Sequence, residues 1–311
     1  MIVVFLLVAV ATASSVSEYP MSLNALNLNG SIDSFVLPVY VESLPISDPW
    51  FVRLATWQNT NLVMLPGFLE RVMEDKVSES VSSRLSSSDI WTGPISAGLL
   101  PGLPVGAVGS LGCGPVSSFV EKFPTYSIRS YLDEHQPFTT ISLEALDCAP
   151  SYYPLKDDSS WRVGAFVDIK VPIDSDGEVW KRIQVPVDSV EVSNRPTLNL
   201  DPTTWEIFSL NIFEQVGGWH TDAMGRLFTD DSSKCHLLVI QQFPRISMRF
   251  NGNEAEYEIG PEQYVLSGSP RDPYAGCTIN VIRDSAISTG SPFLMNHAIE
   301  FDAIHKRLGI C

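Results

Sequence analysis

The chain has 311 residues, 44% of them hydrophobic and 18% charged, and its formal net charge is −16. This length and composition are typical of one large folded unit or of two lobes that share a core. The acidic balance disfavours a nucleic-acid partner, because phosphate groups are bound by basic surfaces.

The amino-terminal segment predicts secretion. Residues 1–10 form an apolar run too short to span a bilayer, and residues 11–13 (Ala-Thr-Ala) are the small residues that signal peptidase accepts. We expect a signal peptide over residues 1–13 and delivery outside the cell or to an endomembrane, lysosome-like compartment. Asn29, followed by Gly and Ser, is then an expected glycosylation site. No later segment approaches about 18 uninterrupted apolar residues, so no membrane span is expected.

Most of the remaining chain predicts β-strands. Residues 35–41 are rich in β-branched and aromatic types, and residues 185–192 have a similar composition. Polar and apolar residues alternate over 245–250 and again over 254–259. The turn-forming pair Asn251-Gly252 lies between these two segments, so the pattern predicts a hairpin. The predicted helices are few and short, at residues 117–122, 207–215 and 293–297. Regularly spaced strands with little helix indicate an all-β architecture of the sandwich or barrel type.

Residues 67–105 differ from the rest of the chain. Residues 70–89 are polar and rich in serine, and proline and glycine punctuate residues 94–104. We predict an irregular insertion here, either mobile or poorly ordered at the surface.

Five cysteines follow: Cys113, Cys148, Cys235, Cys277 and Cys311. None has the Cys-x-x-Cys spacing of a zinc knuckle, and the five histidines are scattered singly, so no metal and no cofactor are expected. In an oxidising compartment the odd count leaves one thiol free or joined to another chain. Cys113 is predicted to pair with Cys148, and the state of Cys311 is open.

Three segments of fixed order and spacing lie near the carboxyl end: residues 290–294 (Gly-Ser-Pro-Phe-Leu), residues 298–302 (Ala-Ile-Glu-Phe-Asp) and Leu308-Gly309. They resemble the closing pattern of the pepsin-like (A1) family of aspartic peptidases. The resemblance is strongest over residues 180–311 and fainter over residues 33–179.

The resemblance implies an all-β, bilobal pepsin-like fold whose amino-terminal lobe is shortened or irregular. It implies a disulfide between Cys235 and Cys277, because the family has one around the hairpin that lies between them. The expected organisation after the signal peptide is a short segment over 14–33, an amino-terminal lobe over 34–175 with the irregular insertion at 67–105, and a carboxy-terminal lobe over 176–311.

Enzymes of this family use two aspartates, each in an Asp-Thr-Gly motif, that share one proton around a water molecule. Residues 198–204 (Leu-Asn-Leu-Asp-Pro-Thr-Thr) resemble the second motif and keep its aspartate as Asp201. Pro202 stands in place of the threonine that braces the two loops, and Thr203 in place of the glycine. Asp201 would either cap its own turn or bind a ligand amine or water.

The first motif is degenerate. Counting back from Asn61-Leu62, which resembles the Asn-Leu that follows the first motif, places Thr56 or Ala55 at the position of the aspartate. Neither has a carboxylate. The family's flap, a hairpin with a tyrosine that closes over substrate, should fall within residues 67–105, which contain no tyrosine and look too short for it. The catalytic pair is therefore incomplete.

The leading functional prediction is a secreted pseudoenzyme that binds a peptide or protein in or near the former cleft. One alternative is a divergent, active aspartic endopeptidase that uses Asp201 at acidic pH, and another is a structural or surface-interaction protein whose cleft is filled. The oligomeric state and the identity of the ligand are open. The residues predicted to line the cleft are Trp57, Thr203, Thr204, Trp205 and Ser291.

Overall fold

The computed structural model describes fifteen stretches of the chain, and the expected signal peptide and Asn29 lie outside them. The described residues are 18–23, 35–41, 50–59, 62–64, 80–84, 90–97, 109–132, 137–143, 146, 148–173, 179–215, 217–222, 225–251, 255–267 and 276–311.

The described residues are mostly β-strand. The strands in chain order are β1 Glu18–Leu23, β2 Phe35–Val41, β3 Trp50–Ala55, β4 Leu62–Met64, β5 Ser80–Arg84, β6 Ile90–Ala97, β7 Gly109–Gly112, β8 Thr125–Leu132, β9 Pro137–Ser142, β10 Ser151–Pro154, β11 Arg162–Val163, β12 Ala165–Pro172, β13 Trp180–Val185, β14 Val190–Glu191, β15 Leu198–Leu200, β16 His220–Thr221, β17 Leu227–Thr229, β18 Arg245–Phe250, β19 Glu256–Ile259, β20 Val265–Ser267, β21 Cys277–Ile279, β22 Val281–Arg283, β23 Ile299–Asp302 and β24 Arg307–Ile310. Most of the pairings are antiparallel, so the all-β class is confirmed.

Within the described stretches the helices are short, with one exception. They are α1 Ser118–Lys122, α2 Pro202–Gln215, α3 Leu237–Ile240, α4 Pro261–Tyr264, α5 Gly290–Leu294 and a 3₁₀ turn Ser232–Cys235. The helix expected at 117–122 is present, and the Ser117 hydroxyl caps it by accepting the Val120 N–H. The helix expected at 207–215 is longer than predicted and begins at Pro202, because proline tolerates the first helical turn. The third expected helix is shifted from 293–297 to α5.

A twelve-stranded sheet joins strands from both ends of the chain, in the order β10-β24-β23-β8-β9-β1-β2-β3-β7-β4-β6-β5. The strand β1 lies within the segment 14–33, for which the sequence predicts no strand, and it pairs with β9 and β2. Strands β23 and β24, at the carboxyl end, pair with β8 and β10. The first and last parts of the described chain are thus held in one sheet.

Part of the expected irregular insertion at 67–105 forms a regular hairpin. Strands β5 and β6 are antiparallel, with Ser83 opposite Trp91, and β6 also pairs with β4. The prediction of an irregular segment is therefore wrong for residues 80–84 and 90–97. Serine is tolerated on either face of a strand, so the serine-rich composition alone does not exclude strands at these residues.

A four-stranded antiparallel sheet has the order β13-β12-β18-β19. The predicted hairpin is confirmed, with Arg249 opposite Glu256 on either side of the turn. The strand predicted over 185–192 is replaced by the end of β13 at Val185 and by the two-residue β14. The expected lobe boundary at 175/176 falls between β12 and β13, which pair with each other over six residues.

Charged side chains cover one part of this sheet. The Lys170 ammonium contacts Glu256 and lies 2.7 Å from a Glu258 oxygen, and Arg182 reaches Glu256 at 3.0 Å. Burial alone would raise the pKa of Glu256, but hydrogen bonds from Lys170, Ser247 and Arg182 outweigh it and lower the pKa to about 2. This carboxylate is therefore stabilised in its ionised form by the folded sheet.

The core near the twelve-stranded sheet is aromatic. Tyr126 stacks on Phe301 with ring centroids 4.8 Å apart, and Trp161 meets Phe301 edge-on at 5.1 Å. The Tyr126 hydroxyl and the Trp161 indole N–H both donate to the Cys113 carbonyl, at 2.7 and 3.0 Å. The polar atoms of two large buried rings are thus satisfied by one backbone oxygen.

The disulfides differ from one of the two predicted pairings. Cys235 is joined to Cys277, as the resemblance implies, but Cys148 is joined to Cys311 rather than to Cys113. Cys113 is a free thiol in the core, and burial raises its pKa well above the usual value. Cys148 meets Cys311 because β10 pairs with β24, a contact that sequence distance did not indicate.

Candidate functional site

Two loops of the molecule share one arrangement of strands. In the first half of the chain, β3 is parallel to β7, β7 is antiparallel to β4, and β4 is parallel to β6. The strand β7 therefore lies between β3 and β4. The loop that follows β3 connects the strand on one edge of β7 to the strand on its other edge.

The same three pairings recur in the second half. Glu191 in β14 forms a parallel bridge with Ser288, and Ser288 forms an antiparallel bridge with Asn199 in β15. The strand β15 pairs in parallel with β22. The Glu191 N–H donates to the Ile287 carbonyl at 3.0 Å, and Asn199 and Ser288 exchange two backbone hydrogen bonds. Residues 287–289 thus take the place that β7 has in the first half. The described chain contains an internal structural repeat.

The two corresponding loops meet at one buried pair of residues, Thr56 and Asn194. The Thr56 hydroxyl donates to the Asn194 side-chain oxygen at 3.1 Å and accepts the Asn194 backbone N–H at 3.0 Å. The Thr56 N–H donates to the same side-chain oxygen, and the Asn194 amide donates to the Leu54 carbonyl, both at 3.1 Å. Both residues are 1% exposed. Three buried hydrogen bonds therefore connect residues 138 positions apart, and a fourth joins Asn194 to Leu54, 140 positions away.

The residues that precede this pair are small and buried. The Ala55 carbonyl accepts the backbone N–H groups of Gln58, at 3.2 Å, and of Cys113, at 2.9 Å. The Ser193 hydroxyl lies 2.6 Å from the Ser288 hydroxyl, and the Ser193 N–H donates to the hydroxyl of Thr289 at 3.2 Å. Neither Ala55 nor Ser193 has an ionisable side chain. The junction of the two loops is held by hydroxyl and amide groups.

The residues that follow the pair are large, and their side chains meet. The Arg195 guanidinium lies over the indole ring of Trp57, 5.0 Å from the centroid, and the Arg53 guanidinium lies over the same ring at 5.6 Å. Arg53 is buried and Trp57 is partly exposed. Burial, and then the nearby charge of Arg195, lower the pKa of Arg53. We call Arg53, Trp57 and Arg195 the Arg-Trp-Arg cluster.

The structure places Asp201 away from this junction's hydrogen bonds, at the start of α2. Its carboxylate accepts the backbone N–H groups of Thr203, at 3.0 Å, and Thr204, at 3.2 Å, and the Thr204 hydroxyl donates to it at 2.5 Å. This is the arrangement of a helix N-cap, in which an acceptor side chain satisfies donors of the first turn. Of the two roles predicted for Asp201, the structure shows the cap. Thr56 meets Asn194 rather than Asp201, so the prediction that Asp201 is the counterpart of Thr56 or Ala55 is corrected.

The other residues predicted to line a cleft lie in different surroundings. Thr203 is exposed and Trp205 packs against Phe208 within α2, with ring centroids 6.0 Å apart. Ser291 is buried, and its hydroxyl donates to the Pro196 carbonyl at 2.6 Å. Of the predicted cleft residues, Trp57 and Ser291 contact the loop that contains Asn194: Trp57 lies under Arg195, and the Ser291 N–H donates to the Arg195 carbonyl at 2.7 Å.

Sequence reasoning missed Ser193, Asn194 and Arg195. The strand-like Val190-Glu191-Val192 precedes them, as an apolar strand precedes Thr56. Asp201 also follows an apolar strand, and it has the carboxylate that this segment lacks. The feature that identifies Asn194 as the partner of Thr56 is the repeated strand order around β3, which only the structure shows.

Comparison with known proteins adds no family: no family model matches the chain, and no curated protein matches it. The described stretches contain no group of three or more His, Cys, Asp or Glu side chains arranged to hold a metal ion. Among the same residues, no helix combines the length and apolar composition that a bilayer crossing requires.

Proposed function

We propose that this chain is a secreted, two-lobed, aspartic-peptidase-like protein that has lost both catalytic carboxylates and binds a peptide or protein beside the junction of its two loops. The single observation that carries the proposal is the repeated strand arrangement whose loops are joined through Thr56 and Asn194. In the family that the sequence resembles, a threonine of each Asp-Thr-Gly motif braces the two loops.

If Thr56 and Asn194 are the bracing residues, the residues before them stand at the aspartate positions. Those residues are Ala55 and Ser193. Hydrolysis by a shared-proton mechanism needs two carboxylates held close together, one as base and one as acid. A hydroxyl without an adjacent base does not replace either of them. This supports the absence of aspartic peptidase activity and disfavours the alternative of an active enzyme that uses Asp201.

The alternative of a filled cleft is also supported by an observation, the contact between Arg195 and Trp57. In the family, glycine follows the bracing threonine and allows the backbone to approach the dyad. Trp57 and Arg195 follow Thr56 and Asn194 here, and their side chains meet across the two loops. Trp57 therefore either forms part of a binding surface or closes it, and one experiment separates these roles.

The experiment measures both cleavage and binding by the purified chain. Labelled casein is incubated with the protein at pH 3, 4, 5 and 6, and we expect no cleavage. Turnover that persists through purification and is abolished by Ser193→Ala would refute the loss of catalysis. Binding of a mixture of labelled hexapeptides is followed by fluorescence anisotropy.

Two tryptophan variants are compared in the binding assay. Trp57→Ala should weaken peptide binding, because an aromatic surface is lost from the junction. Trp180→Ala is the matched control, since Trp180 also lies under an arginine, Arg245 at 5.3 Å, but in the four-stranded sheet. A wild-type chain that does not bind, with binding gained in Trp57→Ala, would instead favour the filled cleft.

A further inference from the structure

One of the two disulfides lies at the surface, and it is the one that closes the longer segment of chain. Cys148 is exposed and Cys311 is partly exposed, and their bond joins residues 163 positions apart. Cys235 is partly exposed but Cys277 is 1% exposed, and their bond joins residues 42 positions apart. Because solvent-exposed disulfides are more easily reduced than buried ones, the two bonds should differ in reactivity.

The sulfur that leaves during thiol exchange distinguishes the two bonds further. A thiolate that attacks a disulfide displaces the other sulfur as a thiolate, and the exchange is faster when that leaving thiolate is stable. Attack on Cys235 would leave the thiolate on Cys277, which is buried in β21, and burial disfavours a thiolate. Attack on Cys148 leaves it on Cys311, which is partly exposed to water. Thiol exchange should therefore be much faster at the Cys148–Cys311 bond.

The chain on either side of Cys148 is attached to β23 and β24 by contacts other than the disulfide. Glu300 in β23 is 2% exposed, and its carboxylate accepts the Leu146 N–H and the Tyr152 hydroxyl, both at 3.0 Å. The strand β10 pairs with β24, directly before Cys311. The segment that contains Cys148 is thus held at both ends by contacts that reduction does not break.

Cys311 is also held in place by its neighbours. Its N–H donates to the Ala298 carbonyl at 3.0 Å, immediately before β23. Gly309 allows β24 to approach the Cys148 segment closely, because a Cβ there would lie 3.0 Å from the Tyr152 ring and 3.1 Å from the Pro150 side chain. The two sulfurs should therefore stay near each other when the bond between them is broken, so that the bond can form again.

We propose that the Cys148–Cys311 bond is a reversible exchange site for a low-molecular-weight thiol. The small thiolate attacks the Cys148 sulfur, a mixed disulfide forms there, and the electron pair of the broken S–S bond goes to Cys311, which leaves as a thiolate. A second small thiolate attacks the mixed disulfide, which releases Cys148 as a thiolate and the small molecule as its own disulfide. Two electrons pass from the two small thiols to the protein, and their two protons go to the two cysteines. This inference does not depend on the proposed peptide-binding function.

Reduction at this site should lower the stability of the protein and leave its fold in place. A bond between residues 163 positions apart strongly restricts the unfolded chain. Its loss should lower the melting temperature by about 10–15 °C. The contacts of Glu300 and the pairing of β10 with β24 remain, so the melting transition should stay cooperative.

The first test measures which bond is reduced. The full, folded chain is treated with millimolar dithiothreitol at neutral pH, alkylated with iodoacetamide at intervals and analysed by mass spectrometry. Cys148 and Cys311 should be alkylated at least about tenfold faster than the cysteines of the other disulfide. Equal rates, or faster reduction of the other disulfide, would overturn the proposal.

A monothiol identifies the attacked sulfur. After brief treatment with mercaptoethanol and alkylation, the main product should carry the mercaptoethanol adduct on Cys148 and the alkyl group on Cys311. The reverse distribution would overturn the assignment of Cys148 as the attacked sulfur.

The second test follows the melting temperature through reduction and reoxidation. The temperature should fall on reduction and return to its original value when oxidised glutathione replaces the reductant. An unchanged melting temperature, or one that does not return, would overturn the reversible site.

Two double variants serve as controls for the melting experiment. Cys148→Ser with Cys311→Ser should melt as the reduced wild type does and should not respond to dithiothreitol. Cys235→Ser with Cys277→Ser is the matched control, and its melting temperature should still fall on reduction and recover. If either double variant does not fold, the alkylation rates of the wild-type chain decide the question.

Discussion

The hydrogen bonds between Thr56 and Asn194 should make a large contribution to stability, and Asn194→Ala is the sharpest perturbation of them. The substitution removes the amide that accepts from the Thr56 N–H and hydroxyl and that donates to the Leu54 carbonyl. All three groups belong to buried residues, so water cannot easily replace the amide. The junction would then contain up to three unsatisfied polar groups.

Each buried polar group left without a partner costs about 1–3 kcal/mol. Three such groups in one network are not additive, so we expect Asn194→Ala to lower the free energy of unfolding by about 3–5 kcal/mol. With a urea dependence of about 3 kcal/mol per M, the unfolding midpoint would fall by about 1–2 M. The assay is urea unfolding followed by tryptophan fluorescence.

The control for loss of an asparagine side chain is Asn211→Ala. Asn211 also donates through its amide to a backbone carbonyl, that of Ile207 at 2.6 Å, but it does so within α2 and is partly exposed. The higher helix propensity of alanine offsets part of that loss, so the change should stay within about 0.5 kcal/mol. A double-mutant cycle of Thr56→Val with Asn194→Ala should give a coupling of about 1–3 kcal/mol. A loss below about 1 kcal/mol in Asn194→Ala, or no coupling, would refute the idea that this pair joins the two loops.

Three other predictions concern separate parts of the molecule. The folded-state pKa of Glu256, about 2, lies below the unfolded value of 4.5, so its contribution to the free energy of unfolding is present above pH 4.5 and is lost as pH falls towards 2. The midpoint of urea unfolding should therefore fall less steeply between pH 6 and pH 2.5 in Glu256→Gln than in the wild type. Glu206→Gln, the control at an exposed residue, should follow the wild type. The buried Cys113 thiol should resist iodoacetamide in the native protein at pH 8 and react in 6 M guanidinium, and mass spectrometry showing rapid native labelling would contradict its burial. Asp201→Ala should destabilise the protein by about 1–2 kcal/mol through loss of the α2 cap, and the melting temperature should fall. Thr203→Ala keeps the backbone N–H that donates to Asp201, so it should have little effect on the melting temperature. Equal effects of the two substitutions would argue against the cap.

Several local features could be predicted because neighbouring residues determine them. The alternation around Asn251 specifies a hairpin whatever the rest of the chain does, and β18 and β19 pair accordingly. Ser117 and the residues after it specify a short capped helix, and the structure has one. The β-branched composition of residues 35–41 likewise predicts β2 with its observed bounds.

The errors have a common physical origin, which is that they concern contacts between distant residues. The predicted pairing of Cys113 with Cys148 is wrong because the pairing of β10 with β24 brings Cys148 to Cys311. The predicted irregularity of the serine-rich stretch is wrong for β5 because pairing with β6 makes it a strand. Strand pairing depends on the partner strand at least as much as on the residues within the strand.

The candidate site also combines features that the local sequence determines with features that depend on contacts between distant residues. The sequence by itself determined that the chain is rich in strands, acidic, and without a carboxylate at Thr56 or Ala55. Only the tertiary structure decided that Asn194 is the residue that meets Thr56, that Asp201 caps α2, and that Trp57 lies under Arg195. These facts depend on the repeated strand order that brings residues 56 and 194 together. A hydrogen bond between residues so far apart leaves no local pattern in the sequence, because each partner satisfies the other only after both loops have folded.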